Sequence, residues 1–594
     1  MLRSLFAPSA LAPCALAVAV FTVSAPAVAD PADDFAALIE AYEAHNEARN
    51  VINRARQGDL SAAAQWPDMS PEAVAAHDLA LAGFLETLEG IDPDALPASD
   101  QASYAVLSYL LETSAAIPAS RSALTPFTND SGFHTTPNFV ALSTRIRTLE
   151  QGEAWIARVS ALPEYFQTYQ AWLELGIERG ITQPREILDG VADQIEAQIV
   201  AAEDSTLFMP LKALPDTLAE EEQTRLREEA LIAIETEALP ALRALHTFFT
   251  ETYIPAARES LGARSLPGGG AYYEDLVRQH TTLDLSPEEI HQRGLDEVAR
   301  IRSEMETVIE GVGFEGTFAE FLNFLRTDPQ FYAETEIELM MRASYLSKLA
   351  DDAMPSIFNR LPRLPYGVRA VPATLAPNYT TARYWPGNAE NGEAGGYMVN
   401  TYRLDQRPLY ELPALTLHEA VPGHHHQVAL SQEMEDVPDF RRQTYITAFG
   451  EGWGLYSEFL GYDIDFYDDP YDRFGALTYE MWRACRLVAD TGIHWYGWNR
   501  EEAEACFLEN SALAPLNVTN EVSRYISWPG QALAYKTGEL LMRELRTDAE
   551  TRLGADFDLA AFNDAILRDG AVPLSFMEAR MRAWIEEQAR SAED

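Results

Sequence analysis

Four of the 11 histidines of this chain lie within nine residues, in the segment His418-Glu-Ala-Val-Pro-Gly-His-His-His426. Imidazole nitrogens are common zinc ligands. In zinc hydrolases a His-Glu pair is followed by a second histidine one helical turn later, and the glutamate acts as general base. Glu419 is the candidate base here, but Pro422 stands at the position of the second histidine. The segment therefore predicts a metal site on an interrupted helix.

The second metal ligand depends on how the chain passes the proline and glycine that follow Val421. Proline cannot donate a helical hydrogen bond and glycine accepts unusual dihedral angles, so we expect a bulge or break here. With one or two residues looped out, His424 returns to the face of His418 and is the favoured ligand. His425 is the alternative, although an unbroken helix would place it about 10 Å along the axis from His418. We expect His426 to point away or to support the site indirectly.

A third ligand is expected from the downstream segment Gly450-Glu-Gly-Trp-Gly-Leu-Tyr-Ser-Glu458. Glu451 is the favoured ligand, because the glycines on both sides of it would let its helix approach the metal closely. Glu458 is the alternative ligand, or a hydrogen-bond partner for one of the imidazoles. Zn²⁺ is the cofactor that such a set of two histidines and one glutamate predicts.

Donors for substrate are expected further along the chain. A hydrolase of this kind needs a tyrosine hydroxyl or a histidine to stabilise the tetrahedral oxyanion, and Tyr525, Tyr535 and His494 are the candidates. Arg524 is a candidate substrate-binding residue in the same segment. Lysine is rare in this chain, so Lys536 is a candidate anchor for the carboxylate at the C-terminus of a peptide.

Helical periodicity dominates the chain, with apolar residues at three-to-four spacing and charged residues between them. Strand-like alternation is scarce, and its best example is 396–402, directly after a glycine-rich loop. We therefore predict a mostly α-helical body with a very small β-sheet near the metal helix. A Pro-Gly-Gly-Gly break at 267–270 suggests two lobes, 30–265 and 266–594, the second carrying the metal site.

The chain has 44 basic and 92 acidic side chains, a formal net charge of −48 at pH 7. This charge would repel both a phosphate backbone and an anionic lipid surface, so the composition excludes nucleic acid as a partner. Hydrophobic residues make up 47% of the chain and aromatic residues 10%, which is enough to build a large core. The composition is that of a folded, acidic protein.

The first 29 residues resemble a secretory signal peptide. Arg3 precedes a short apolar run from Leu11 to Val23, and Ala27-Val-Ala29 forms a small-residue cleavage site. This predicts export to the periplasm or the medium. No later segment approaches the roughly 20 apolar residues that a membrane span needs, so we expect no membrane insertion after cleavage.

Two cysteines remain after that cleavage, Cys485 and Cys506. In an oxidising compartment they could form a disulfide, but the sequence does not give their separation in space. We favour two buried thiols.

The histidine segment, continued to Gln427, resembles the HExxPGHHxQ signature of the bacterial domain-of-unknown-function family 885 (DUF885). Segments 266–273, 451–458 and 524–538 are also similar to that family. The family in turn resembles angiotensin-converting enzyme, the thimet oligopeptidases and the Taq-type carboxypeptidases, which are gluzincin-like zinc peptidases with a deep cleft between two helical lobes. The resemblance implies this fold, with His418, His424 and Glu451 as zinc ligands and Glu419 as the base.

In those peptidases a short edge strand before the zinc helix binds the substrate backbone. The resemblance implies that 395–400 is this strand, with Tyr397 and Asn400 as substrate-binding residues. The function expected is that of an exported zinc metallopeptidase acting on oligopeptides. Two alternatives remain open: a metal-dependent hydrolase of esters or non-peptide amides, and a metal-binding protein without catalysis.

Overall fold

A computed structural model of the chain describes residues 30–373, 376–389 and 392–593. The described residues form long helices and one small sheet, which confirms the mostly α-helical prediction. The predicted signal peptide lies outside the described residues. None of the described helices combines the length and the hydrophobicity needed to span a bilayer.

The helices are labelled here where they contain eight or more residues. Those before the sheet are α1 (Pro31–Arg49), α2 (Pro71–Glu89), α3 (Ala98–Ala116), α4 (Thr136–Ser143), α5 (Leu149–Ser160), α6 (Leu162–Arg179), α7 (Leu188–Glu196), α8 (Glu220–Ala233), α9 (Leu239–Phe248), α10 (Gly269–Thr281), α11 (Pro287–Gly311), α12 (Phe318–Thr327) and α13 (Glu336–Ile357). Those after it are α14 (Leu412–Glu419), α15 (His424–Gln432), α16 (Thr447–Leu460), α17 (Pro470–Thr491), α18 (Arg500–Asn510), α19 (Pro515–Ser527), α20 (Ala534–Leu553), α21 (Leu559–Leu567) and α22 (Leu574–Glu593).

Local sequence signals explain where the long helices begin and how they pack. At the start of α11 the Ser286 hydroxyl accepts from the Glu289 N–H, while the Glu289 carboxylate accepts from the Ser286 N–H. A Cβ atom at Gly294 would lie 2.8 Å from the side chain of Leu487, so this glycine lets α11 cross α17 closely. Helices α11 and α17 therefore pack closely against each other in the C-terminal half of the chain.

One large hydrophobic core runs from Phe35 in α1 to Ile585 in α22. Burying apolar side chains of both chain halves in one cluster is the main stabilising contribution to the fold. The division into lobes at residue 265 stays a prediction.

The sheet has three strands, β1 (Tyr366–Ala370), β2 (Ala382–Trp385) and β3 (Gly395–Val399). Their order is β1-β3-β2, with β1 parallel and β2 antiparallel to β3. The prediction of an edge strand at 395–400 is therefore wrong, because β3 is the central strand and both of its sides are already paired. An outer edge of the sheet is formed instead by β2.

The helix break predicted after Val421 is present. Helix α14 ends at Glu419 and α15 begins at His424, with a cis peptide bond between Val421 and Pro422. A Cβ atom on Gly423 would lie 1.9 Å from the His418 carbonyl oxygen, so only glycine fits there. The indole N–H of Trp453 donates to the Pro422 carbonyl at 2.8 Å and fixes the turn.

Cys485 in α17 and Cys506 in α18 form a disulfide, with their Cα atoms 5.7 Å apart. The preference for two buried thiols is therefore wrong. Both the half-buried Cys506 and the fully buried Cys485 belong to the core, where the bridge joins two neighbouring helices.

Candidate metal centre

Three side chains from three helices meet at the end of α14. The ligand atoms of His418, His424 and Glu451 all lie within 4.8 Å of one another. Each of the two imidazole Nε2 atoms is 3.5 Å from Oε2 of Glu451, and the two rings are nearly perpendicular. Two imidazoles and one carboxylate form the donor set of a catalytic zinc site with an open position, so the residues present fit zinc.

His418 is oriented by Glu458. Its Nδ1–H donates to Oε1 of Glu458 at 2.8 Å, which leaves Nε2 facing the other ligands. Glu458 in turn lies 3.4 Å from the guanidinium of Arg483. Burial lowers the pKa of His418, but its contacts with Glu451 and Glu458 outweigh this and raise that pKa to about 10.

Glu451 is brought to the site by the glycines that flank it. A Cβ atom at Gly452 would lie 2.6 Å from Cα of Gly538, and one at Gly454 would lie 2.6 Å from the His418 ring. Burial opposes the charge of Glu451, but the imidazole of His424, followed by that of His418, holds the pKa of this carboxyl well below its usual range. The expected close approach of α16 is thus present.

Tyr445, which precedes α16, donates its hydroxyl to Oε1 of Glu451 at 3.0 Å. The residue as a whole is 48% exposed, while its hydroxyl is enclosed beside the ligand cluster, where burial raises the pKa of that hydroxyl. The residue stands four positions after Arg441 in a short irregular stretch, where no sequence signal marks it.

Glu419, the predicted base, is held by the sheet. The backbone N–H of Tyr384 in β2 donates to its Oε2 at 2.6 Å. This N–H points away from β3, since its strand partner Tyr397 lies opposite without using it. The outer edge of β2 therefore faces the last residue of α14.

His425 points away from the ligand cluster, toward the sheet. Its Nε2–H donates to the Leu364 carbonyl at 3.0 Å, so its Nδ1 is the acceptor for the Tyr384 hydroxyl at 3.1 Å. Its neighbour His426 packs on Phe358, and neither of its ring nitrogens has a hydrogen-bond partner among the described residues. The structure thus brings His424, not His425, to His418.

Tyr525 belongs to a buried charge network. Its hydroxyl accepts from Arg486 at 2.9 Å and from Trp482 at 3.2 Å, and donates to Glu521 at 2.8 Å. Burial raises the pKa of this hydroxyl. With three partners inside the protein, Tyr525 has a structural role and is not a free donor to substrate.

Tyr535 and Arg524 lie on a less buried side of that network. The Arg524 guanidinium donates to the Tyr535 hydroxyl at 3.4 Å and to Gln531 at 2.5 Å. Tyr535 is also one of the groups close enough to Tyr445 to raise its pKa, after burial and Glu451. Of the predicted donors, Tyr535 is the one with an electrostatic interaction with Tyr445, the hydrogen-bond partner of Glu451.

His494 is fully buried with both ring nitrogens occupied. Its Nδ1 accepts from the Ala263 N–H at 3.0 Å, and its Nε2–H donates to the Tyr525 carbonyl at 2.9 Å. Burial lowers its pKa to about 3, so the ring is neutral. The geometry ties three chain segments together and leaves no ring nitrogen to stabilise an oxyanion.

Lys536 is completely buried and surrounded by carboxylates. Its Nζ lies 2.5 Å from Glu539, 2.8 Å from Glu480 and 3.0 Å from Glu297. Its ammonium group therefore neutralises a buried acidic cluster and is not presented to a peptide. The expected carboxylate anchor is absent at this residue.

Tyr397 and Asn400 are also internal. Tyr397 is fully buried and its hydroxyl contacts Thr416 at 3.4 Å. The Asn400 amide donates to the carbonyls of Ala376 and Tyr379, and its oxygen accepts from the Tyr402 N–H. Both side chains hold the sheet and its loops in place, so neither is available to a substrate.

The site also contains residues that the sequence did not single out. Tyr384 and Tyr445 are joined to it by contacts that no local pattern encodes. Arg483 carries no distinctive signal either, because the buried part of α17 also contains Arg486 and Asp490.

Fold and site together define a large α-helical protein with a largely buried His-His-Glu cluster beside a glutamate held by a small sheet. The model of the bacterial proteins of unknown function called DUF885 matches residues 52–581, and the chain belongs to this family.

Two solved structures are similar over nearly the whole chain. One is the crystal structure of the putative lipoprotein from Colwellia psychrerythraea, with 27% identity, a TM-score of 0.86, and coverage of 93% of this chain and 100% of the other. The second is a putative lipoprotein of unknown function from Shewanella oneidensis, with 17% identity, a TM-score of 0.71, and coverage of 92% and 99%. This second likeness concerns the fold alone. No curated protein matches the chain.

Proposed function

We propose that this protein is an exported, zinc-dependent peptidase that hydrolyses oligopeptides. The observation that carries the proposal is the meeting of His418, His424 and Glu451, with their ligand atoms within 4.8 Å, next to the base Glu419. A cluster of this composition with a neighbouring carboxylate is suited to hydrolysis by an activated water.

The ligands His418, His424 and Glu451 would hold the zinc ion. When bound, zinc supplies a Lewis acid that polarises a carbonyl group and makes a nearby water acidic. Glu419 accepts the proton of the attacking water and passes it to the leaving amine. Its Oε2 is fixed by the Tyr384 N–H, so the carboxylate is oriented before substrate arrives.

Tyr445 is assigned to stabilise the oxyanion, and Tyr535 is assigned a supporting role next to Tyr445. The Tyr445 hydroxyl is 3.0 Å from a ligand carboxylate and the residue as a whole is 48% exposed, so a small rotation would direct its O–H at a substrate oxygen. This assignment replaces Tyr525 and His494, whose polar atoms are used inside the protein.

Peptide binding is assigned to the outer edge of β2. An extended peptide can add to an exposed strand edge through main-chain hydrogen bonds. The Tyr384 N–H on that edge is already bonded to Glu419, so a peptide would pair with the other positions of β2 and would lie with its backbone close to the base. An edge of this kind favours peptides over small esters as substrates.

Export is supported by three observations. Residues 1–29 have the composition of a signal peptide. The disulfide between Cys485 and Cys506 is suited to an oxidising compartment. The protein of similar structure from Colwellia psychrerythraea, 27% identical to this chain, is described as a putative lipoprotein.

The decisive experiment combines metal analysis with a screen of peptides and esters. We expect about one zinc per chain and peptide hydrolysis that Glu419→Gln reduces at least 1,000-fold, while the zinc content is unchanged. Glu435→Gln, a change of an exposed carboxylate outside the site, is the matched control and should behave like the wild type.

Three results would contradict the proposal. Full activity in Glu419→Gln would remove the assigned base. Turnover of esters or non-peptide amides without peptide hydrolysis would assign a different substrate class. Tight zinc binding without turnover of any substrate would identify a metal-binding protein.

A further inference from the structure

We propose that His425 and Tyr384 form a positioning pair that holds Glu419 in place from the far side of β2. The proposal rests on the proposed function, because it explains how the base of that reaction is oriented. Neither residue contacts the metal ligands' donor atoms, and neither is a catalytic residue.

His424 and His425 are adjacent in α15, but their side chains point in different directions and make different contacts. His424 turns to Glu451, while His425 turns to β2 and the segment before β1. A helix rotates by about 100° per residue, so consecutive side chains cannot both reach one metal. His425 is therefore available for hydrogen bonds to Tyr384 of β2 and to the Leu364 carbonyl.

His425 is held firmly at both ring nitrogens. Its Nε2–H donates to the Leu364 carbonyl, and its ring packs against Tyr366 with the centroids 4.6 Å apart. This fixes Nδ1 as the acceptor for the Tyr384 hydroxyl. The Tyr384 side chain is buried, so this hydrogen bond is shielded from water.

Tyr384 connects His425 to the base, because it makes one hydrogen bond to each of them. Its side chain is fixed by His425, and its own N–H, on the same residue, donates to Oε2 of Glu419 at 2.6 Å. Among the described residues, this N–H is the hydrogen-bond donor to the Glu419 carboxylate. Because α14 ends at Glu419, the following turn offers this side chain no further helical support.

The contacts of Gly395 show that little space remains around the hydrogen bond between Tyr384 and His425. A Cβ atom at this position would lie 2.7 Å from the Tyr384 hydroxyl and 2.9 Å from Nδ1 of His425. An alanine there would have to push the two groups apart. Gly395→Ala therefore disturbs the pair from β3 and leaves the side chains of Tyr384 and His425 unchanged in sequence.

The test uses His425→Leu, with His425→Gln as the conservative variant and His426→Leu as the matched control. Glutamine can donate to Leu364 and accept from Tyr384, whereas leucine can do neither. His426 is a buried neighbour on the same helix whose nitrogens have no partner among the described residues, so its replacement tests the general effect of a lost histidine.

For the full-length, zinc-loaded protein we expect His425→Leu to lower kcat at least 10-fold, with KM within about twofold of the wild type and zinc content unchanged. Tyr384→Phe and Gly395→Ala should change kcat in the same direction. His425→Gln and His426→Leu should stay within threefold of the wild type.

A second measurement does not depend on turnover. In the metal-free protein, hydrogen exchange followed by mass spectrometry should show at least 10-fold faster exchange of the Tyr384 amide in His425→Leu, and no such change in His426→Leu. If the wild type shows no peptidase activity, the proposed function is contradicted. The exchange measurement still tests the pair of His425 and Tyr384, because it needs no turnover.

Two results would overturn the proposal. One is unchanged exchange of the Tyr384 amide in both His425→Leu and Tyr384→Phe. The other is a loss of kcat that parallels a loss of zinc, or that is equal in His425→Leu and His426→Leu, since either would indicate a general structural role.

Discussion

Glu458 lies 2.8 Å from Nδ1 of His418 and so fixes which nitrogen of that histidine faces Glu451. Ligands of a metal are commonly oriented in this way by a carboxylate. Here the orienting residue stands seven positions after the candidate ligand Glu451, two helical turns along α16, and Arg483 of α17 lies 3.4 Å from it.

Removing the charge of Glu458 should weaken zinc binding. We expect Glu458→Gln to reduce zinc affinity by about 10- to 100-fold, because the imidazole loses its orienting anion. Competition with a chelator of known affinity measures this. Glu435→Gln serves as the control, and an unchanged affinity in Glu458→Gln would show that the carboxylate does not support the ligand.

The contact between Gly452 and Gly538 should not tolerate a methyl group. Gly452→Ala would place its Cβ 2.6 Å from the backbone of α20, so we expect a loss of about 1–3 kcal/mol and a lower Tm. Gly190→Ala is the matched control, since a Cβ there meets nothing within 4 Å. Equal Tm values for the two variants would mean that α16 and α20 can move apart freely.

Lys536 should be essential for stability. Lys536→Met removes the buried cation that Glu539 shares with the partly buried Glu480 and Glu297, and leaves Arg300 and Arg543 as their remaining partners, at a cost of about 3–5 kcal/mol. Lys348→Met changes a lysine that is 82% exposed and should cost less than about 1 kcal/mol. Urea unfolding of both variants gives the comparison, and similar midpoints would contradict this account of the buried cluster.

His494 should make the protein sensitive to acid. Burial lowers its folded-state pKa to about 3, against about 6.5 when unfolded, so below pH 6.5 the unfolded chain binds a proton that the folded chain does not. Its contribution to stability is therefore lost as the pH falls from 6.5 toward 3, by about 1.4 kcal/mol per pH unit.

His494→Gln lacks this titration, and the unfolding free energy of the wild type should fall more steeply than that of the variant between pH 6 and pH 4. His246→Gln, at a half-exposed histidine, should keep the wild-type slope. Parallel slopes for all three proteins would show that His494 does not remain neutral in the folded state.

The ligand cluster could be predicted from the sequence because its signals are local. The His-Glu pair, the proline and glycine that break the helix, and the glycines around Glu451 all lie within short segments. Helical periodicity likewise predicted the fold class, since apolar spacing is a property of each helix by itself.

The presence of a small sheet near the metal helix could be predicted, but its strand order could not. The alternation at 396–402 marked one strand, but the order β1-β3-β2 depends on pairing between distant segments, and β2 has only four residues. The resemblance implies Tyr397 and Asn400 as substrate-binding residues, but both are internal in the structure. The rarity of lysine makes Lys536 a candidate anchor, but a residue type cannot reveal which carboxylates surround its side chain.

The two histidines at the cluster belong to different helices, joined by the turn that Gly423 and Trp453 hold in shape. The distance between their nitrogens is thus set by a turn and not by the pitch of one helix. A search of genomes for two histidines one helical turn apart would pass over this chain. The informative pattern is instead the pair of features that build the turn, namely a Pro-Gly after the His-Glu and a tryptophan two residues after the third ligand.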